Sequence, residues 1–502
     1  MIRRPSPDIL STFGHGLRSM HRSSSTLRSA PKMAPVWLQP YLNHMPQKSA
    51  SKLYAWSLSN LEENQSVLSS SPSRLDGSIS HQQYRSPQQR IYVLGVGNLG
   101  ILFASSLASL PNPPPITLVV HRKDLLLSWR QQPGIEVTRG DSTQRYLDFD
   151  VELWSEEEPS LGPAREVADG QEIPNLIVTT KASQALPQVD RARRYLNDRS
   201  TVAFAQNGMC KLWPPHGDSY MASRFPDASA SHPNWLACVT THGVTSLGQF
   251  KSLHASEADL KVGLVFPNNS ADNASYLSNL LAESPHLNGQ VVARDELWIL
   301  QLEKLVVNSV INPLTAILRC KNGDLFTKKD GTIANIIDSL LMEASNILQA
   351  LIKDRSTGAI LQTAPGMALA TEDEMTRKLG RRRRDLLGRF SHGKLKEMLY
   401  SVGHKVRENT SSMLQDVRAG KPTEVNEFNG WLVEMAAYLE GRIDVVHHKN
   451  LVDLVETNTV LNEESLGKHF SNLTDNCQGY NPLDARALDF NNSTARNWTT
   501  PR

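Results

Sequence analysis

The chain has few cysteines, few aromatic residues and almost no net charge. Its four cysteines form no C-x-x-C pair and no zinc-ligand spacing, which argues against a disulfide framework and a structural zinc site. The 53 Lys and Arg residues nearly balance 51 Asp and Glu residues, so a globally basic nucleic-acid-binding protein is excluded. No apolar run approaches the length of about 18 residues that a membrane span needs. A chain of 502 residues then indicates a soluble globular protein of two domains with extensions.

Both ends of the chain have the composition of segments outside a folded domain. Residues 1–61 contain eight basic side chains, one acidic side chain and eleven serines, which is typical of a mitochondrial transit peptide. The alternatives are a disordered leader of a cytoplasmic protein and a start codon assigned too far upstream. Residues 62–87 are rich in Ser and Gln and are predicted to be a linker. Residues 471–502 are rich in Asn and Thr and are predicted to be a disordered tail.

A glycine turn between a predicted strand and a predicted helix marks the first domain. The apolar run at 90–94 leads into Gly95, Val96, Gly97, Asn98, Leu99 and Gly100, and a helical pattern follows. In a G-x-G-x-x-G turn the first glycine permits the tight turn, and the second lets the backbone approach a pyrophosphate. The third lets the helix pack close to the strand, so that the amides at the helix start face the phosphates. The turn predicts a dinucleotide site, and an ordinary βα turn is the alternative.

An arginine follows the second predicted strand, where this fold meets the adenosine ribose. The strand covers residues 116–120, and Arg122 comes just after it. A carboxylate at this place would accept hydrogen bonds from the ribose of NAD, whereas the planar guanidinium suits the 2′-phosphate of NADP. Asp124 is expected to lie past the contact point. The sequence therefore predicts NADP rather than NAD, and a solvated strand-end charge is the alternative.

Two further predicted strands, at residues 176–180 and 201–205, also end in polar residues. Lys181 and Gln184 follow the first strand, and Asn207 follows the second. Open α/β sheets bind their ligands beyond the carboxyl ends of the strands. We therefore expect these side chains to lie where a cofactor or a substrate binds, with ordinary loop residues as the alternative.

A long, largely apolar helix is predicted over residues 295–312, and Pro313 is expected to kink or end it. Lys304, Asn308 and Asn312 recur every four residues and so form one polar stripe along the helix. Because the flanking residues are apolar all round, we expect the stripe to face a cleft inside the protein. Burial there lowers the pKa of a lysine, which makes Lys304 a candidate proton donor. The alternative is a lysine that extends from a core helix to solvent.

Motifs further along the chain supply neutral hydrogen-bond donors and a glutamate. An Asn-Gly turn begins at Asn322. Asn409, Ser411 and Ser412 precede or start a short predicted helix, where neutral donors suit a carboxylate. Glu424 opens another predicted helix, and a first-turn charge is the simpler explanation of this residue.

Taken together, these motifs resemble the ketopantoate reductase family, also called the 2-dehydropantoate 2-reductases. The resemblance covers about residues 88–465 and rests on G-x-G-N-x-G at Gly95, T-K-A-x-Q at Thr180, Q-N-G-M at Gln206, K-x-x-x-N-x-x-x-N-P-L-T-A at Lys304, N-G at Asn322 and N-x-S-S-M-L-Q-D…T-E at Asn409 to Glu424. The family pairs an α/β Rossmann-type N-terminal domain, here residues 88–294, with an all-α C-terminal domain, here residues 295–470. Its active site lies in the cleft between the two domains.

The resemblance implies a set of cofactor contacts. NADPH would lie over Gly95–Gly100, and Arg122 would bind its 2′-phosphate. Lys181, Asn207 and Glu424 would be further cofactor contacts. A second copy of the chain is a candidate partner, as a homodimer.

The resemblance also implies a reaction, the reduction of ketopantoate to pantoate in the synthesis of pantothenate and coenzyme A. Lys304 would protonate the C2 carbonyl oxygen as hydride arrives at C2, and its charge would stabilise the developing alkoxide. Asn308, Asn312, Asn322 and Ser412 would position the hydroxyl and carboxylate groups of this 2-keto acid.

Two stretches depart from the family pattern. The Thr240–Val244 loop is expected near the nicotinamide, but the glycine-containing stretch that usually follows reads His254–Ala258 here. An insertion at about 354–402 contains the run Arg381-Arg382-Arg383-Arg384. Such a run is most often a solvated face, and contact with RNA or anionic lipid is the alternative. A reductase fold repurposed as an organelle RNA-associated factor is therefore the second hypothesis, and retention of Lys304 favours the enzyme.

Overall fold

The computed structural model describes residues 34–43, 50–61, 87–226, 232–268, 271–364, 371–439 and 443–478. Within these residues an α/β domain is followed by a helical domain, as the sequence predicts. No helix in the described ranges combines the length and the apolar character that crossing a bilayer requires.

The strands and helices of the described residues are numbered here in chain order. Strands β1 to β13 are Tyr54–Trp56, Ile91–Leu94, Ile116–Val120, Ile135–Arg139, Ser142–Tyr146, Asp150–Ser155, Asn175–Val178, Thr201–Phe204, Asn234–Thr240, Gly243–Gly248, Lys251–Ser256, Leu260–Phe266 and Gly289–Val291. Helices α1 to α15 are Gln39–Asn43, Asn98–Ala108, Lys123–Gln131, Ala182–Arg191, His216–Arg224, Ala271–Glu283, Arg294–Leu318, Thr332–Lys353, Gly358–Leu361, Glu372–Arg389, His392–Lys405, Ser412–Arg418, Trp431–Tyr438, Val446–Glu456 and Glu463–Gln478.

The main sheet has the strand order β1-β6-β3-β2-β7-β8-β9-β12-β13. The six strands from β6 to β9 pair in parallel and follow the order 3-2-1-4-5-6 of a Rossmann fold. Strands β2, β3, β7 and β8 are buried along their whole length, which explains why they are short apolar runs without alternation. A second sheet, β10-β11-β4-β5, packs against α2. The Rossmann prediction is confirmed.

Helix α7 runs through the middle of the helical domain and contacts α8, α11, α12 and α14. The helix predicted over residues 295–312 is therefore present, but it continues through Pro313 to Leu318. Of the two effects expected of Pro313, a kink or an end of the helix, the end is therefore wrong. Leu314 and Ile317 beyond it are almost completely buried, and this packing offsets the cost of about 3 kcal/mol of a proline inside a helix.

Residues 34–43 and 50–61 belong to the fold, so the prediction of a leader outside the fold over 1–61 is wrong for these two segments. Strand β1 pairs antiparallel with β6 at the edge of the main sheet, and Leu38 and Leu53 are 1% exposed. A strand of three residues and a helix of five are too short for a hydrophobic period to be read from the sequence.

The other predicted segments outside the domains have different outcomes. Helix α15 ends at Gln478, so the predicted tail begins later than residue 471. Residues 1–33 of the predicted transit peptide, residues 62–86 of the predicted linker and the rest of the tail lie outside the described residues.

The arginine run of the insertion lies on helix α10, and two of its four arginines contact other residues of the protein. The guanidinium of Arg382 is 2.6 Å from the carboxylate of Asp295, which is fully buried at the start of α7. Arg383 donates to the carbonyl of Asp354 at 3.3 Å. Further along α10, Arg389 makes two hydrogen bonds, of 2.6 and 3.0 Å, to the carboxylate of Glu303. Helix α10 therefore braces the helix that carries Lys304.

This contact predicts that two neighbouring arginines differ in their effect on stability. Arg382→Ala leaves the buried carboxylate of Asp295 without its cation, and we expect a loss of about 3 kcal/mol in the free energy of unfolding. Arg381→Ala is the matched control, because Arg381 is exposed and its loss should cost less than about 0.5 kcal/mol. Urea unfolding of the two variants measures the difference. Equal losses would show that the Arg382–Asp295 pair does not brace α7.

Candidate active site

The carboxyl ends of five neighbouring strands bring the predicted site residues to one edge of the main sheet. In the spatial order β3-β2-β7-β8-β9, these ends carry Arg122, Gly95, Lys181, Asn207 and Thr240. The topological switch point of the fold, where the strand order reverses, lies beside β2. In such folds the helices that follow the neighbouring strands lie on opposite faces of the sheet, and a ligand-binding crevice forms between them. The site residues that the sequence predicts from separate motifs therefore form one continuous row along the carboxyl ends of these strands.

The glycine turn has the conformation and the free space that a bound phosphate needs. Gly95 has φ +97°, a left-handed conformation that favours glycine. A Cβ at Gly97 would meet no atom within 4 Å, whereas a Cβ at Gly100 would lie 2.9 Å from Oγ1 of Thr179 and still closer to the carbonyl oxygen of Gly95. The first turn of α2 holds no acidic residue, so its amides present a positive end to the open space. These residues fit a pyrophosphate over Gly97.

Arg122 lies just before α3, and its partner is Asp124. The guanidinium is 3.1 Å from the Asp124 carboxylate, and both side chains are more than half exposed. The carboxylate therefore lies against the predicted contact residue instead of past it. Ion pairs at this exposure contribute little free energy, so Arg122 can turn to a phosphate without a large cost.

Lys304 is the centre of a half-buried polar cluster. Its Nζ donates to Oδ1 of Asn207 at 2.9 Å and to the backbone carbonyl of Thr240 at 2.5 Å. Asn207 in turn donates from Nδ2 to the Glu424 carboxylate at 3.3 Å. Three residues predicted from separate motifs are thus joined by hydrogen bonds. The alternative of a lysine that extends to solvent does not hold.

The surroundings of Lys304 determine its pKa and the orientation of its ammonium group. Burial lowers its pKa from 10.5 to about 8, and the negative charge of Glu424 acts in the opposite direction. An ammonium has three N–H donors, and Asn207 and Thr240 take two of them. No other described residue accepts from Nζ, which leaves one donor for an oxygen atom of a ligand in the cleft.

The next two turns of α7 continue the polar stripe. Asn308 is half-buried and Asn312 is 8% exposed. In the part of the chain that the structure describes, neither side-chain amide has a hydrogen bond to another protein group. A buried amide without a protein partner is costly unless a ligand or water satisfies it, so the stripe suits a polar ligand.

Asn322 and Ser412 lie on other elements of the helical domain, and no hydrogen bond joins them to Lys304. Asn322 is 6% exposed, and its Nδ2 donates to the carbonyl of Val406 at 3.3 Å. Its Oδ1 is buried, with no partner in the described ranges. Ser412 begins α12 and is exposed, whereas Ser411 turns inward and bonds to Thr315 at 2.7 Å.

A charge pair connects the sheet edge to the helix that Ser412 begins. Nζ of Lys181 is 2.7 Å from the carboxylate of Asp416 on α12. The pair crosses the cleft between the two domains, and thus Lys181 already has an anionic partner. The sequence prediction missed Asp416, although it lies within the quoted motif. The Thr240–Val244 loop is expected near the nicotinamide, but its contact with Lys304 is not predicted, since a backbone carbonyl makes it and no residue type signals that.

Nothing in the described ranges points to a metal centre. Among these residues, no three His, Cys, Asp or Glu side chains come together in a group that could hold a metal ion. The polar groups of the cleft are instead two ammonium groups, amides, a hydroxyl, a glycine turn and the carboxylates of Glu424 and Asp416, which pair with Asn207 and Lys181. Such a set suits an anionic organic ligand and a proton transfer.

Comparisons with known proteins agree with this geometry. The family model described as ketopantoate reductase PanE/ApbA matches residues 91–265, and the model of its C-terminal part matches residues 297–458. A ketoisovalerate reductase from Beauveria bassiana is 39% identical over 460 residues, which cover 86% of this chain and 98% of that protein. A probable 2-dehydropantoate 2-reductase from Schizosaccharomyces pombe is 28% identical over 366 residues, 69% of this chain and 90% of that protein.

A solved structure has the same fold. The crystal structure of a probable 2-dehydropantoate 2-reductase from Bacillus subtilis superposes with a TM-score of 0.51 at 21% identity, over 74% of this chain and 99% of that one. The two family models, one on each domain, and the extent of the match to the Beauveria protein leave no domain of the described fold outside the comparison. The chain belongs to the ketopantoate reductase family of oxidoreductases.

Proposed function

We propose that this chain is an NADPH-dependent reductase that converts the C2 carbonyl of a branched 2-keto acid to a hydroxyl group. The observation that carries the proposal is the half-buried ammonium of Lys304, which is held by Asn207 and Thr240 at the carboxyl ends of β8 and β9. It begins a stripe of amides, Asn308 and Asn312, that have no side-chain partner among the described residues. A carbonyl reduction needs a polarised carbonyl, a proton source and fixed geometry, and this cleft offers groups for each.

The residues of the sheet edge would hold the cofactor. Gly97 leaves space for the pyrophosphate at the start of α2, and Arg122 would bind the 2′-phosphate that distinguishes NADPH from NADH. When bound, the reduced nicotinamide supplies a hydride. Asn207 and Glu424 lie at the Lys304 end of the edge and would contact the cofactor there.

Lys304 would act on the carbonyl oxygen of the substrate. Its free N–H donates to that oxygen, which polarises the carbonyl and stabilises negative charge as it develops. The proton then moves from Nζ to the oxygen, and the pKa of about 8 makes this transfer easier than from an ordinary lysine. Asn207 and the Thr240 carbonyl keep the ammonium in place during the transfer.

Two substrates with different supporting observations fit this chemistry. The 39% identical relative is named for ketoisovalerate, which favours that acid. Ketopantoate, the substrate that the family resemblance implies, carries an additional hydroxymethyl group. The unpaired amides of Asn308 and Asn312 favour ketopantoate, because a hydroxyl would satisfy them.

A kinetic comparison of the two acids tests the proposal. Oxidation of NADPH by the purified full chain is followed with 2-dehydropantoate, 2-ketoisovalerate and, as the unbranched control, pyruvate. A site that hydrogen-bonds the hydroxyl should favour 2-dehydropantoate by about 10⁴-fold in kcat/KM, whereas an apolar site separates the two acids by no more than about 100-fold. If neither branched acid is reduced faster than pyruvate, the proposed substrate class is wrong.

The cofactor preference depends on Arg122. We expect Arg122→Ser to raise the KM for NADPH by about 10-fold or more and to leave the KM for NADH within a factor of two, because only NADPH carries the 2′-phosphate. Arg130→Ser on the same helix is the matched control for the loss of a positive charge. Equal effects on both cofactors would place the 2′-phosphate elsewhere.

A further inference from the structure

The proposed mechanism does not use two neighbouring histidines, His242 in the Thr240–Val244 loop that contacts Lys304 and His254 on β11. Nδ1 of His242 is 3.0 Å from Nε2 of His254, and the two rings meet edge to face. His254 is 3% exposed. It belongs to the stretch in which this chain departs from the family pattern.

The partners of the two rings fix where their protons are. The carbonyl of Leu287 can only accept, so Nε2 of His242 donates to it at 2.9 Å. The amide of Ala258 donates to Nδ1 of His242 at 3.0 Å, and hence Nδ1 carries no proton. Nε2 of His254 must then donate to the same nitrogen, and Nδ1 of His254 accepts from Nε of Arg139 at 3.4 Å. One arrangement of two neutral imidazoles is compatible with all these contacts, and in it the Ala258 amide and Nε2 of His254 share the lone pair of His242 Nδ1.

Burial and neighbouring charges keep His254 neutral. Burial lowers the pKa of His254 to about 4, and the adjacent His242, Arg139 and His286 act in the same direction. Glu257 acts in the opposite direction and is paired with His286 on the exposed side. His254 therefore remains uncharged in the neutral pH range, in which Lys304 is a cation.

The loop that His242 anchors contacts both halves of the proposed site. At its start, the Thr240 carbonyl accepts the hydrogen bond from Lys304. At its end, the Val244 carbonyl accepts a hydrogen bond from Asn98 of the glycine turn at 3.2 Å. His242 lies midway, and its amide donates to Oγ1 of Thr240 at 3.3 Å. Holding its ring therefore holds both carbonyls.

We propose that His242 and His254 are positioning residues that fix the Thr240–Val244 loop, and through it the direction of the Lys304 ammonium relative to the glycine turn. The proposal rests on the proposed function for its kinetic consequence. Its structural content concerns the lysine alone and can be tested without any substrate.

Three variants separate this role from a general effect on folding. His254→Leu removes the donor to His242, and His254→Gln keeps an N–H donor near the same place. His286→Asn is the control, because it changes a nearby half-exposed histidine with φ +66°, a conformation that asparagine tolerates. Thermal unfolding of all three variants identifies any that do not fold.

Competitive acetylation of Lys304 at a series of pH values, read by peptide mass spectrometry on the full chain without cofactor, reports the position of the ammonium. The wild type should titrate with a midpoint at about 8. In His254→Leu we expect the midpoint to rise toward 10.5, because a loosened loop admits water and burial is the main cause of the low pKa. His254→Gln and His286→Asn should keep the wild-type midpoint.

The kinetic test uses whichever branched 2-keto acid the wild type reduces. His254→Leu should lower kcat by about 10-fold or more with little change in KM, because it misplaces a group needed in the transition state. His254→Gln should restore most of this loss. A folded His254→Leu variant with the wild-type midpoint and the wild-type kcat would overturn the proposal. If no acid is reduced, the proposed function fails, and the acetylation result still decides the role of the pair.

Discussion

Replacing Lys304 with methionine should lower the rate of 2-keto acid reduction by about 10²- to 10⁴-fold while cofactor binding remains. Methionine keeps most of the length of the apolar stem and removes the ammonium, so the packing around α7 changes little. The loss has two causes: no N–H polarises the carbonyl, and no group at this place gives a proton to the developing alkoxide. Single-turnover oxidation of NADPH measures the chemical step directly.

A control lysine and a binding measurement make the Lys304 result specific. Lys396→Met removes a lysine that pairs with Asp338 on the surface of the helical domain, and it should keep the wild-type rate. Quenching of tryptophan fluorescence by NADPH should give nearly the same dissociation constant for Lys304→Met and for the wild type. A Lys304→Met variant with a wild-type rate would exclude this residue as the proton donor.

The pH dependence of the same reaction follows from the lowered pKa of Lys304. A proton donor must be protonated, so kcat/KM should fall as the pH rises through about 8. Glu424 raises the pKa of Lys304, and Glu424→Gln should therefore move this fall to lower pH. In Lys304→Met the fall should disappear. A pH profile that is the same in all three proteins would mean that another group titrates.

The sequence predicts those parts of this fold in which local pattern and tertiary structure agree. The short apolar strands, the glycine turn and the polar stripe of α7 each carry a period or a residue type that few other structures require. The hydrogen bonds between Lys304, Asn207 and Glu424 could not be read in the same way. They arise because the loop after β8, helix α7 and the segment before α13 that carries Glu424 meet at the carboxyl ends of the strands.

Three kinds of contact lie beyond such a prediction. The Thr240 carbonyl accepts a hydrogen bond from Lys304. Every residue has a carbonyl, so only the fold determines which one points toward this lysine. From the sequence, Arg382 is predicted to be one of four solvated charges, whereas in the structure α10 brings it into contact with the buried Asp295. Strand β1 has three residues, and its pairing with β6 is decided by the edge of the sheet and not by its own sequence. In each case a partner distant in sequence selects the contact.

Substitution by alanine should have a small effect on stability at Gly97 and a large one at Gly100. Gly97→Ala should change the free energy of unfolding by less than about 1 kcal/mol, because φ is −88° and a Cβ would meet nothing within 4 Å. Gly100→Ala should cost about 3 kcal/mol, because its Cβ would collide with the backbone carbonyl of Gly95 and force α2 away from the strand. Urea unfolding without cofactor measures both effects.

For Gly97→Ala we expect a large effect on NADPH binding although the effect on stability is small. Its new methyl group would occupy the space proposed for the pyrophosphate, so Gly97→Ala should weaken NADPH binding by about 10-fold or more, equal to about 1.4 kcal/mol. At the same NADPH concentration the variant should also show a smaller rise in melting temperature than the wild type, because stabilisation by a ligand decreases as its dissociation constant increases. Wild-type affinity in a normally folded Gly97→Ala variant would mean that no phosphate approaches the backbone at this turn.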